Sequence, residues 1–396
     1  MKTFHNISLI AAAAAVLCAT SAFAADVAGL EIHGYSRGGP VLNYDNETKG
    51  GLSLGGDLQK YRLGNEGDNG IEVDLIKNFE AGGMKWKVHY MPVKWNSGAV
   101  GTDQAYVEMS GLSFAPEAKI WAGQRRLRIQ DVHIVDNFLM NYGDNQGAGV
   151  TDIGIGGAKL GIGVFSGAKF DTALPVGVKA TRMNADFSEI KTNEGGKLRV
   201  LLTSVNGSGL AGGNSGSGIS VSHNQEDFLL KGMSNALFLQ TSRGHARIDG
   251  EFLGIDGVTG GQRVSRIADS LNWQSGAFGG QTLLSYQTSK DDLTGVTTKD
   301  TSLGGRLSYA FSTNFKMLAE AGTTSRKTPA GDQRLNKITL APTISVGPDF
   351  WNRPEVRLYV TKANWNQAAA AANASTFGAG GKTSSTIVGV QYEVWW

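Results

Sequence analysis

Polar and apolar positions along this chain alternate in steps of two, not in the three-and-four steps of an amphipathic helix, so they predict short two-faced strands. Residues 384–396 show this most plainly. Trp396, Val394, Tyr392, Val390 and Val388 share a wholly apolar face, while Trp395, Glu393, Gln391, Gly389 and Ile387 share the other. In residues 30–37, Leu30, Ile32, Gly34 and Ser36 oppose Glu31, His33, Tyr35 and Arg37. In 60–65, Tyr61 and Leu63 oppose Lys60 and Arg62; in 71–76, Ile71, Val73 and Leu75 oppose Glu72 and Asp74. Trp86, Val88 and Tyr90 then oppose Lys85, Lys87 and His89. Toward the end, Leu303, Leu307, Tyr309 and Phe311 line up, as do Ile338, Leu340 and Ile344, and Val356, Leu358 and Val360.

A soluble sheet ending at Trp396 would leave a sticky apolar edge beside unpaired backbone groups. A closed transmembrane barrel removes the edge and gives the apolar face to lipid. The expected fold class is therefore all-β, a transmembrane antiparallel β-barrel. Tyr61, Trp86, Tyr90, Tyr309 and Trp396, near strand ends, are read as interfacial girdles.

Composition sharpens this. Gly is 55 of 396 residues and Pro only 8, which excludes collagen-like and Pro/Gly-disordered chains. Basic and acidic side chains number 37 and 35, so no basic stripe points to nucleic acid. Residues 1–24 carry a Lys near the start, an apolar run and Ala22-Phe23-Ala24, the layout of a cleaved signal peptide; residues 25–396 then form a single barrel domain. Cleavage there removes Cys18, the sole cysteine, and with it thiol catalysis and disulfides. Beyond the signal no apolar run is long enough for a helical span. The remaining 372 residues suit a barrel of about 16 to 18 strands.

Gly- and Ser-rich stretches at 206–224 and 368–382 are read as outward-facing loops. The stretch 124–149 (QRRLRIQDVHIVDNFLMNYGDNQGAG) is dense in charge with little alternation. It is either a loop folded back into the lumen or an ordinary solvated loop.

Asp131, His133 and Asp136 invite a metal reading, but the spacing is common and no second His cluster supports it. No metal or cofactor is expected. No G-x-S-x-G elbow is present, and Glu72 and Asp74 read as wetting groups, so an enzyme is not expected. More telling are rings on the wet side: Tyr35, Trp351, Tyr359 and Trp395 share the parity of polar neighbours. They either pack against an inward loop or form a stacking rail for the apolar faces of sugar rings, whose hydroxyl edges charged side chains would serve.

Motifs spread over the whole chain carry a resemblance: HGYSR at 33–37, KYRLGNE at 60–66, IWAGQR at 120–125, DVHIVD at 131–136, GAG at 147–149, WNRPEVR at 351–357 and YEVWW at 392–396. In these the chain resembles maltoporins, trimeric sugar-specific porins of the bacterial outer membrane. The resemblance implies 18 strands, a third loop folded inward, and passive passage of maltose- or maltodextrin-like oligosaccharides. It also implies a homotrimer set in outer-membrane lipid. By motif, Tyr35, Trp351 and Trp395 look like members of an aromatic slide. Trp95 looks like the ring lent to a neighbouring subunit. Arg37, Arg62, Glu72, Asp131, His133 and Asp136 fall on the polar track, and Phe138 at the constriction. Departures are Gly70 at a slide Tyr, Met233 at a slide Phe, Asp103 and Ile129 at arginines, and Phe138 at a Tyr. They imply a thinner rail and a throat with fewer donors and less positive charge. A general porin for small polar solutes and ions is the alternative.

Overall fold

The computed structural model describes residues 29–43 and 51–396; the signal peptide expected at 1–24 lies outside them. In chain order the strands are β1 (Leu30–Gly38), β2 (Val41–Asn43), β3 (Gly70–Ala81), β4 (Met84–Trp95), β5 (Gly101–Ser110), β6 (Lys119–Gln124) and β7 (Arg128–Val132). There follow β8 (Asn137–Asn141), β9 (Gln146–Ile155), β10 (Ala158–Ser166), β11 (Lys179–Asn193), β12 (Gly196–Ser208), β13 (Ser215–Gln225) and β14 (Met233–Gly244). The last are β15 (Gln262–Ser275), β16 (Phe278–Asp291), β17 (Thr297–Ser312), β18 (Phe315–Thr328), β19 (Gly331–Ser345), β20 (Glu355–Trp365) and β21 (Ser384–Trp395). Eighteen of these form one closed antiparallel barrel. The three-residue β2 adds to its rim beside β21, and β7 and β8 form a separate hairpin. Closure is made by β1, which pairs with β3 on one side and β21 on the other. Gly34 and Trp396 exchange both backbone hydrogen bonds at 3.1 Å.

The burial pattern is the inverse of a soluble protein's. Leu303, Tyr309, Ile338 and Ile344 are 51–66% exposed on the outer wall. Arg306, Glu320, Lys337 and Thr339 on the inner wall are at most 5% exposed. A side chain facing hydrocarbon needs no partner. An inward charge, cut off from bulk water, must find one. Glu320 accordingly takes Arg306 at 2.7 Å and Lys337 at 2.8 Å.

Those wall charges also hold a loop. The strand expected at 60–65 is not one: residues 51–69 fold into the lumen between β2 and β3. The Leu63 amide donates to Glu320 (2.9 Å), and Lys337 donates to the Leu63 carbonyl (2.6 Å). Tyr61, expected in a girdle, lies inside with its hydroxyl 3.0 Å from Ser302. Gly322 makes room for it, since a Cβ there would sit 2.0 Å from the tyrosine ring. The alternation of Lys60 to Leu63 is real, but it belongs to a loop inside the lumen and not to a wall strand.

The inward fold of the third long loop, 125–145, is as expected. It carries β7, β8 and a 3-10 turn at His133–Val135. Its back is apolar: Ile134, Leu139 and Met140 are fully buried in a cluster with Phe238 and Leu283 of the wall. Each such side chain contributes about 1.5–3 kcal/mol. Gln240 donates to the Leu139 carbonyl at 2.6 Å.

Two loop expectations hold only in part. Most of 206–224 is strand, with only 209–214 connecting β12 to β13. Its small residues face an inward loop, 245–261: a Cβ on Gly216 would lie 2.3 Å from the Ala246 amide. The 368–382 stretch departs in part, its last five residues staying irregular and largely exposed. It forms α1 (Gln367–Ala372) and α2 (Ala374–Phe377), which bury Ala369, Ala370 and Phe377 and stack Phe377 on Trp365 at 4.5 Å.

Leu303→Arg, in the middle of the lipid-facing row of β17, is expected to destabilise the barrel by about 2–4 kcal/mol, read from denaturant titrations of folding into bilayers.

Candidate functional site

The inward loops leave a cavity of about 660 Å³ along the side of the barrel built by β1, β3, β4 and β21. Of the slide, track and constriction residues that the resemblance implies, all but Trp351 line it: Tyr35, Arg37, Arg62, Glu72, Trp95, Asp131, His133, Asp136, Phe138 and Trp395. Their sequence parity put Tyr35, Arg37 and Trp395 on the wet face, and the register seats Tyr35 directly opposite Trp395.

Trp95 closes β4 opposite Gly70, and its ring fills the space of the missing side chain: a Cβ on Gly70 would lie 2.1 Å from it. The ring is 6.4 Å from that of Tyr35, with the Arg37 guanidinium 4.8 Å above it. Trp95 therefore lines its own chain's chamber. The glycine read as a missing ring is what lets this ring turn inward.

Trp351 is the exception. It sits in the turn between β19 and β20, its indole N–H 3.2 Å from Asn272. The ring of His133 intervenes, 5.3 Å from Trp351 and 5.9 Å from Trp395. The order is thus Trp95 and Tyr35 in the chamber, Trp395 beside His133 at its base, and Trp351 beyond. Tyr359 does not join them; it is buried under the first loop beside Gly64.

The polar side is fixed by ion pairs. Arg37 reaches Asp136 at 3.0 Å and Asp68 at 2.8 Å. Arg62 meets Glu66 and Glu393 at 2.9 Å each and His133 Nδ1 at 3.1 Å. Tyr35 donates to Glu393 at 2.8 Å, so its ring plane is set. Burial would raise the Glu66 carboxyl, but Arg62, Lys60 and Arg37 hold it well below the usual range. Asp131 and Asp136 keep about a third of their side chains exposed.

Arg126, Arg128, Asn137, Asn141, Arg247 and Asp249 line the same chamber and were not singled out. Arg126 grips Glu72 with both terminal nitrogens and also contacts Asp103; Arg128 lies 5.5 Å over Phe138. Arg126 and Arg128 thus bring positive charge to the chamber, Arg126 paired there with two acids. The QRRLR run was the available signal, but it does not say which arginine turns inward.

The third loop is latched by the loop 245–261. Asn141 donates its amide to the Asp249 carbonyl at 2.8 Å and its side-chain amide to the Glu251 carboxylate. Burial, and then the neighbouring Asp249, push Glu251 up to about 8, with Arg247 only partly offsetting. A carboxyl raised in the fold is protonated there and stabilises below its ordinary value of 4.5; that contribution drains away as pH climbs toward about 8. A spin label at Asn137→Cys should grow more mobile between pH 5 and 8.5, and Glu251→Gln should flatten that response.

Comparison with known proteins agrees with this architecture. The family model described as LamB porin matches residues 30–396. A maltoporin of Vibrio cholerae serotype O1 is 27% identical, with 100% of this chain and 99% of that protein covered. A maltoporin of Hahella chejuensis is 26% identical over 96% of each. Among solved structures, Pseudomonas aeruginosa OpdK with vanillate superposes with a TM-score of 0.50 at 12% identity, covering 93% of this chain and 98% of that one, a likeness of fold. Matched across nearly its whole length and built as the barrel such a match requires, the chain belongs to the LamB porin family and is a protein of the bacterial outer membrane.

Proposed function

We propose that this outer-membrane channel passes maltose-class oligosaccharides by a short aromatic rail set against a polar lip. The observation that carries the reading is the chamber in which Trp95, Tyr35 and Trp395 face Asp131, Asp136 and Arg128. A pyranose has apolar C–H faces and hydroxyl edges, so planes on one wall and charged acceptors and donors on the other suit both at once. Most of the charges are paired with each other, which leaves weak, exchangeable contacts for a solute. Weak contacts suit conduction, since a site must release what it admits. His133, buried between Trp395 and Trp351, backs the rail from beneath instead of extending it. Passage is passive and involves no covalent step. A homotrimer is the assembly proposed, supported by the likeness to maltoporins and open to chemical cross-linking in membranes.

Maltotriose at millimolar concentration should block ion current through the channel in planar bilayers. Trp95→Ala and Trp395→Ala should each raise the half-blocking concentration by about three- to tenfold, the value of one stacked ring. Trp351→Ala, beyond His133, should do less. An open channel that no sugar blocks would favour the general porin, and the lack of any channel would reject both.

A further inference from the structure

The barrel holds a second chamber of about 600 Å³, lined by β15 to β19, the loop 245–261, the first loop and the α1–α2 segment. It has a different chemistry from the first. No aromatic residue lines it. The inner positions of neighbouring strands supply amides and hydroxyls: Gln262, Gln287, Ser289, Thr298, Thr328 and Gln333.

Its charged groups are already engaged. Asp57 lies 3.6 Å from Arg247 and 3.9 Å from Arg266. Arg326 grips Asp300 at 2.9 and 3.0 Å. Asp291 accepts from the amides of Leu293 and Thr294. By contrast, the side chains of Gln262, Ser289 and Thr298 make no hydrogen bond among the described residues.

The chamber also has a floor. Below it Leu58, Tyr61, Ser302 and Ile134 are at most 4% exposed, where the first and third loops meet the wall. The two chambers share Arg247, and the Asp57–Arg247 contact stands between them.

We propose that this second chamber is a blind side site that takes a neutral, hydroxyl-rich solute by hydrogen bonds alone, apart from the conducting lane. Paired charges disfavour an ionic guest, which would have to break an ion pair to be recognised. The absence of rings excludes stacking. What is left is a set of free hydroxyl and amide groups facing water.

The test places a reporter cysteine at Thr298 and follows its modification by a methanethiosulfonate reagent, with trehalose as probe. It is run in the full-length protein and again with Trp95→Ala and Trp395→Ala together, which removes the stacking surface of the first chamber. Trehalose is expected to slow modification by about fivefold at four times its dissociation constant in both backgrounds. Gln262→Leu with Ser289→Val should abolish that protection, and the modified Thr298→Cys channel should carry unaltered current. Labelling Asp131→Cys, in the first chamber, should reduce it. No protection, or protection that vanishes with the two tryptophans, would overturn the second site; a loss of current on labelling Thr298→Cys would overturn its being blind. None of these outcomes depends on whether maltotriose blocks the first chamber.

Discussion

In hydrocarbon there is no water to satisfy a backbone N–H or C=O, so every strand must have two neighbours. The pairing of β1 with both β3 and β21 meets that demand, and it inverts the burial rule for everything else. Apolar side chains such as Ile344 and Leu303 go to the outside, and the inside is left with charge. An interior of that kind cannot be held by oily contact alone. It is organised by ion pairs such as Glu320 with Arg306 and Lys337, which then serve as anchor points for a loop backbone.

The inward loops follow from this. The first loop is pinned to wall charges, whereas the third brings its own apolar back, Ile134 with Leu139 and Met140, to a patch of wall that is apolar to match. Between them they turn a wide cylinder into two chambers. One chamber gets the rings of Trp95, Tyr35 and Trp395; the other has no ring, and its paired charges stand among amides and hydroxyls.

The wall was legible in the sequence because lipid and lumen impose opposite demands on successive residues, so Leu303, Leu307 and Tyr309 mark one face without help from anything distant. The same rule placed Tyr35, Arg37 and Trp395 inside. It failed where the lumen itself is full of protein. Tyr61 and Leu63 alternate with Lys60 and Arg62, but inside the lumen the first pair is buried against the wall and the second is held on ion pairs, Lys60 only partly covered. The loop 245–261 has no period to read, and its trace lay only in the small residues of β13 that make room for it. Adjacent arginines were equally opaque. Arg125 turns to Glu108 and the ring of Trp121, Arg126 to Glu72, and only the register of the loop decides which.

Gly70 has a wider consequence. Because it lacks a side chain, Trp95 folds back over its own strand pair and lines the same chamber as Tyr35 and Trp395. A side chain at position 70 would take the space the indole occupies, so one hydrogen atom there fixes where a whole ring stands.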